Sequence, residues 1–161
     1  GAGEGGGGGG AAERAQGGSV GPTGALAGAW AAAGVASVVM ASSVVVLGNR
    51  TDAGAFSDAT PPAPVDPYAL SKALAGRRVT EILADRICDY CIVRPPLVYG
   101  PGSPGNFAGL IAIAARAPLI PLAGIHAPRT FIYVDHFVDA LVVAASHPAA
   151  ARRTFVHQHH T

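Results

Sequence analysis

Cysteine is scarce in this chain, charge is thin and large aromatic side chains are few. Two cysteines in 161 residues exclude a disulfide framework and make a reducing, cytoplasmic setting the expectation. Charged residues make up 13% of the chain and the formal net charge is +1, which excludes a strongly basic nucleic-acid binder and an acidic disordered tail. Aromatics reach only 6%, so any core must be built mainly from small aliphatic side chains. The length suffices for one domain with a real core and is too short for two ordinary ones.

What is plentiful is glycine, and the excess is local. Residues 1–18 hold ten glycines and no apolar side chain larger than alanine. Such a segment buries too little surface to offset its ordering entropy, so it reads as a disordered lead. It lacks the charged start and compact apolar stretch of a signal peptide. From Arg14 to Arg50 there is no charge, and residues 25–48 are long enough to cross a bilayer. The first half of that run is alanine and glycine, which gain little from lipid, and Gly34 divides it. A small-residue helix over 23–33, a glycine stop and a buried strand over 38–47 is the reading that fits. Val38-Val-Met-Ala-Ser-Ser-Val-Val-Val-Leu47 is β-branched and apolar on both faces, as a central parallel strand should be.

The remaining residues keep the alternation. A loop over 49–67 is punctuated by Pro61, Pro62, Pro64 and Pro67. Asp66 can cap a helix that starts at Pro67 and runs to about 85. A short strand over 90–94 is stopped by Pro95-Pro96. A glycine- and proline-rich loop then leads to a helix over 107–116. A strand over 131–134 and a helix capped by Asp135, ending near His147, complete an α/β pattern.

The strongest chemical constellation is Tyr68-Ala-Leu-Ser-Lys72, about 25 residues after the strand that carries Ser42-Ser43. A four-residue step sets phenol and ammonium on one helix face. A phenol is a poor base at neutral pH, but a neighbouring ammonium and an oxidised nicotinamide both favour its ionised form. Tyr68 then suits a general base for a substrate hydroxyl, and Ser43 can hydrogen-bond the same oxygen. In open α/β sheets the carboxyl ends of the strands, where Ser43 falls, are where such sites lie.

With these blocks in this order, the chain resembles the NAD-dependent epimerase/dehydratase group of extended short-chain dehydrogenase/reductases, over residues 19–155. Ser43 stands at the family's catalytic Ser/Thr position, and Pro64-Val-Asp-Pro-Tyr68-Ala-Leu-Ser-Lys72 is similar to its Tyr/Lys helix. Ile92-Val-Arg-Pro-Pro-Leu-Val-Tyr-Gly-Pro-Gly102 resembles the strand and loop along the nicotinamide, and Arg129-Thr-Phe-Ile-Tyr-Val-Asp135 the segment whose arginine grips a phosphate. The resemblance implies the carboxyl-terminal half of a Rossmann-like cofactor domain in residues 19–161, with part of a small substrate lobe at about 100–155. It implies Ser43, Tyr68 and Lys72 as catalytic residues. It assigns Tyr68, Lys72, Pro95 and Val98 to NAD (or NADP), and Ser43, Asn106 and Arg129 to a nucleotide-sugar substrate. A homodimer through the helices at 23–33 and 67–85 is the implied assembly, with no membrane or nucleic-acid partner.

Two departures narrow the chemistry. Sugar 4,6-dehydratases carry an Asp-Glu pair after the catalytic Ser/Thr; Val44 and Val45 stand there and cannot exchange protons. In 4-epimerases an asparagine near Leu97 helps bind the diphosphate, which leucine cannot do, so the sugar nucleotide stays open. The first departure disfavours a dehydratase and leaves a 4-epimerase-like hydride transfer expected, with a ketone or alcohol oxidoreductase, or a non-catalytic remnant, as alternatives. The family's opening Gly-x-x-Gly-x-x-Gly turn has a spacing match in Gly18, Gly21 and Gly24, but no strand precedes it and coincidence is the expectation. Roughly the first four strands lie outside the resemblance, so the chain alone is expected to be inactive. Cys88 and Cys91 read as buried thiols rather than a metal pair, and His126, His136 and His147 as surface or capping residues.

Overall fold

A computed structural model describes residues 20–50, 55–101, 109, 116 and 130–157. The order is helix α1 (Gly21–Ala32), strand β1 (Ser37–Ala41), a 3₁₀ turn (Val44–Leu47), helix α2 (Pro67–Leu83), strands β2 (Asp89–Arg94), β3 (Leu97–Tyr99) and β4 (Phe131–Tyr133), helix α3 (Val134–Ser146), a second 3₁₀ turn (Pro148–Ala150) and strand β5 (Arg153–Val156). Among the described residues, β1, β2 and β5 form a parallel sheet in the order β1–β2–β5, and β3 pairs with β4 in a separate parallel ribbon. The expected α/β class is what forms.

Strand alternation decides which helix covers which face. Val38, Met40 and Tyr90 pack with Val79, Leu83 and Cys88 under α1 and α2. Val39, Cys91, Val93 and Phe155 turn the other way, onto Phe137, Leu141 and Ala144 of α3. Val79 and Leu83 are completely buried, which contributes about 1.5–3 kcal/mol each. The expected helix and glycine stop form: Gly34 takes φ +71, a conformation open to glycine, and turns the chain from α1 into β1. No helix of the described residues is long and apolar enough to cross a membrane. Gly21 and Gly24 lie inside α1, with Gly24 against Arg78 and Ile82 of α2, so they form no strand-to-helix turn.

Four expectations need correction. The strand expected over 38–47 ends at Ala41, and Val44–Leu47 turns into 3₁₀ helix. The reason is its neighbour: β2 stops at Arg94, and Pro95 has no N–H to extend the ladder. The same strand is half-buried rather than central, because among the described residues it is the sheet edge. Asp135 does not cap α3; it occupies the first helical turn, where its charge favours the dipole, and Tyr133 is the uncapped boundary. Finally, α3 and β5 return to the main sheet, so within 130–157 only β4 stands with β3 apart from it. The helix expected over 107–116 falls almost entirely outside the described residues, as does the lead at 1–18.

The amino end of the sheet is fastened by one side chain. The guanidinium of Arg152 donates to Asp89 Oδ1 at 3.0 Å, to the Ala84 carbonyl at 2.7 Å and to the Arg86 carbonyl at 2.6 Å. These carbonyls close the end of α2, so one residue ties helix, β2 and β5 together. Arg152 sits at φ +58 to reach them. Arg152→Ala is expected to lower stability by about 2 kcal/mol, mostly from lost hydrogen bonds, since the ion pair is half-exposed. Arg152→Gly should cost about 1 kcal/mol less, because glycine removes the left-handed penalty. Urea midpoints of the three proteins check the order.

Burial also pushes the Cys91 thiol up from its ordinary value, only partly opposed by Arg153. A raised folded value means that the folded state holds the proton more tightly than the unfolded state. The corresponding stability is full below the ordinary thiol value and is lost as pH rises through the raised one. Iodoacetamide at mildly alkaline pH should therefore modify the folded chain roughly tenfold or more slowly than the chain in guanidinium.

Candidate active site

The carboxyl ends of β1 and β2 are held level by two hydrogen bonds. Ser42 N–H donates to the Val93 carbonyl at 2.8 Å, and Val44 N–H to the Pro95 carbonyl at 2.9 Å. Ser43 lies between them in extended conformation and begins the 3₁₀ turn, its Oγ accepting from Val45 N–H at 3.5 Å. Ser43 is thus set beside Pro95 by backbone geometry, half-buried where the sheet ends.

Helix α2 brings the second group of residues. Asp66 Oδ1 accepts from Ala69 N–H at 2.8 Å, and Pro67 supplies a pre-set φ at the first helical position. The expected cap therefore forms, and it fixes where the helix starts. Tyr68 falls in the first turn, 57% exposed. Lys72 is half-buried one turn later, its Nζ 5.9 Å from the Tyr68 ring centroid. Ser71, between them, turns inward and donates to the Tyr68 carbonyl at 2.8 Å. The helix packs against the 3₁₀ turn that follows Ser43, and Ala63 N–H donates to the Val46 carbonyl at 2.9 Å.

The loop leaving β2 supplies the third group. Pro95 is buried and Val98 half-buried, Val98 opposite Ile132 in the β3–β4 ribbon. Gly100 closes this ribbon on α3: a Cβ there would lie 2.5 Å from Val134 Cγ1. Tyr99 and Tyr133 stack edge to face at 5.5 Å, and His136 meets Tyr133 at 6.0 Å. Ser43, Tyr68, Lys72, Pro95 and Val98 accordingly stand on elements that converge at one end of the sheet. Asn106 and Arg129 lie outside the described residues. His147 is a capping residue, its Nδ1 accepting from Ala149 N–H at 3.1 Å.

Two residues at this end were given no role by the sequence. Asp58 Oδ1 accepts from Val156 N–H at 2.6 Å, across 98 positions of sequence. Arg94 Nε is buried with no hydrogen-bond partner, and burial lowers the guanidinium pKa against an opposing pull from the Asp58 charge. Asp58 belongs to none of the quoted motifs and Arg94 lies inside the block at 92–102; what brings the Asp58 loop to this strand end is the pairing of β2 with β5.

Chemically, this end of the sheet offers a serine hydroxyl, an accessible phenol with an ammonium on its helix face, and an apolar wall. That is the equipment for moving a proton on and off a hydroxyl beside a flat apolar ring. The comparisons agree with the geometry. Residues 19–156 match the model of the NAD dependent epimerase/dehydratase family. A UDP-glucose 4-epimerase from Vibrio cholerae is 33% identical over 125 residues, covering 76% of this chain and 38% of that protein. MoeE5, solved in complex with UDP-glucose and NAD, is 31% identical with a TM-score of 0.70, covering 86% of this chain and 46% of its own. A UDP-glucose 4-epimerase from Thermotoga maritima superposes with a TM-score of 0.75 over 91% of this chain and 49% of its own, and at 19% identity it speaks for the fold alone. The chain thus spans less than half the length of each of these proteins. With the match covering most of its residues and the strand ends arranged as described, this chain belongs to the NAD-dependent epimerase/dehydratase family.

Proposed function

We propose that this chain carries the proton-transfer half of a nucleotide-sugar 4-epimerase-type reaction. The observation that supports this most is the ladder bond from Val44 to Pro95, which sets Ser43 beside the wall where a nicotinamide would lie. Tyr68 takes the proton from a sugar hydroxyl and returns it in the reverse step. Ser43 Oγ hydrogen-bonds the same oxygen and orients it. Lys72 places a positive charge on the phenol's face of α2 and offers donors to a ribose. Bound NAD supplies the hydride acceptor. The residues suit its nicotinamide half: a buried Pro95 and a half-buried Val98 give an apolar wall, and Lys72 a donor beside it. Val44 and Val45 present only hydrocarbon after Ser43, which suits hydride return without loss of water. Asn106 and Arg129 belong to this proposal as the diphosphate contacts; the planar fork of arginine matches phosphate oxygens.

A homodimer through α1 and α2 is part of the same reading. Leu26 of α1 is 51% exposed, and the small residues of α1 permit close helix approach. Light scattering over a wide concentration range checks it, and a monodisperse monomer counts against it. A cytoplasmic location accords with two free thiols.

Turnover of a UDP-hexose with NAD, followed as formation of the 4-epimer, tests the reaction on the natural gene product that contains these residues. Tyr68→Phe is expected to lower kcat by about 10²–10⁴-fold while sugar-nucleotide affinity changes little. Wild-type turnover unaffected by Tyr68→Phe overturns the assignment. The 161-residue chain alone is expected to bind NAD only weakly in a calorimetric titration. Its described groups address the nicotinamide half, whereas pyrophosphate needs backbone N–H groups at a strand-to-helix turn. Among the described residues no glycine-rich turn of that kind forms, and three contacts of about 1.5–3 kcal/mol each correspond to three orders of magnitude or more in binding. Micromolar affinity sinks that expectation.

A further inference from the structure

We infer that Asp58 is a positioning residue for Tyr68, acting through a proline-braced strut that it anchors to the end of β5. The inference rests on reading Tyr68 as the proton-transfer group. Its geometry starts at the ends of β2 and β5, where Arg94 and Val156 stand opposite each other and His157 N–H donates to the Arg94 carbonyl at 3.1 Å. Asp58 reaches this pair at Val156: its carboxylate accepts from Val156 N–H at 2.6 Å. One loop carboxylate is thereby joined to the end of β5, where β5 pairs with β2.

From that anchor the chain runs to Tyr68 with little slack. Ser57 and Thr60 close a turn around Asp58, with Ser57 N–H donating to Thr60 Oγ1 at 2.9 Å and Thr60 N–H to the Ser57 carbonyl at 3.0 Å. Pro61, Pro62 and Pro64 follow, and proline-rich segments are semi-rigid spacers rather than free coils. Midway, Ala63 N–H is fastened to the Val46 carbonyl, three residues after Ser43. The strut ends at the Asp66 cap and Pro67, and Tyr68 is the next residue. An anchor at Asp58 therefore limits where the first turn of α2 can sit relative to Ser43. Without it, the strut keeps only its Ala63 tether and the cap. The Asp58 charge also favours the charged form of Arg94, whose Nε is buried without a hydrogen-bond partner among the described residues.

Fluorine NMR of the chain labelled with fluorotyrosine tests this, because it holds four tyrosines, each assignable by its own Tyr→Phe variant. Asp58→Ala is expected to displace the Tyr68 signal while Tyr90, packed under α1 and α2, keeps its shift. Asp58→Asn, which retains an oxygen for Val156 N–H, should displace it less. Pro62→Gly leaves the anchor and slackens the strut, and should also move Tyr68 alone; it decides the matter if Asp58→Ala does not fold. A Tyr68 signal unmoved in both Asp58→Ala and Pro62→Gly overturns the inference, as does equal displacement of Tyr68 and Tyr90, which marks a merely structural role. In turnover, Asp58→Ala should lower kcat by roughly tenfold with KM for the sugar nucleotide nearly unchanged, and Asp58→Asn should recover most of it. If Tyr68→Phe leaves turnover intact while the fluorine signals behave as stated, the reaction assignment fails and the positioning role stands.

Discussion

Pro95 has no amide hydrogen, and the ladder between β1 and β2 ends where that hydrogen would be needed. The rest of the site follows from this local fact. The last bond available, from Val44 N–H to the Pro95 carbonyl, holds the strand ends level and leaves Ser43 between two paired residues. Beyond it β1 has no parallel partner, so Val44–Leu47 satisfies its own backbone as a 3₁₀ turn with Ser43 as its cap. That turn provides the surface α2 packs on and the carbonyl that holds Ala63. Replacing a ladder by a turn thus creates both the position of the serine and the seat for the helix that carries the phenol.

The sheet treats its two ends differently. At the amino end, Arg152 spends a left-handed backbone conformation and three side-chain hydrogen bonds on closing α2 against β2 and β5. Strained residues often mark functional sites; here the strain serves a purely structural fastening, far along the strands from the Ser43 end. At the carboxyl end, polar groups are left accessible instead: Tyr68 is more than half exposed, and Lys72 is only half-buried. The fastening and the accessible polar groups thereby lie at opposite ends of the same strands, with Val79, Leu83, Cys91 and Val93 packed between them.

Much of this was legible in the sequence where the controlling interactions are local. Asp66-Pro67 announces the start of α2 because cap and first residue are adjacent, and the Tyr68–Lys72 spacing follows at once. The glycine stop at Gly34 was readable for the same reason. Features that depend on a distant partner were not. Residues 38–47 have the composition of one long strand, and what shortens it is the proline just after β2, some fifty positions on. β5 is four residues that begin with Arg153 directly after Arg152, too brief and too charged at its start to stand out. Asp58 meets the end of β5 where it pairs with β2, a pairing whose register no local pattern encodes.

The same separation bears on which chemistry the site can perform. Loss of water from a sugar needs a proton donor and a base besides the group that handles the oxidised hydroxyl. After Ser43 the available side chains are Val44 and Val45, and the backbone N–H of Val45 is engaged with Ser43 Oγ. No titratable group enters from that turn. The 3₁₀ conformation reinforces the point, because it turns Val46 and Leu47 into the protein, where both are buried. The segment next to the serine is thus committed to packing, and on the proposed reading Tyr68 carries the proton. A single group that takes a proton from a hydroxyl and gives it back would meet the balance of an epimerisation, whereas an elimination asks for a further donor and base.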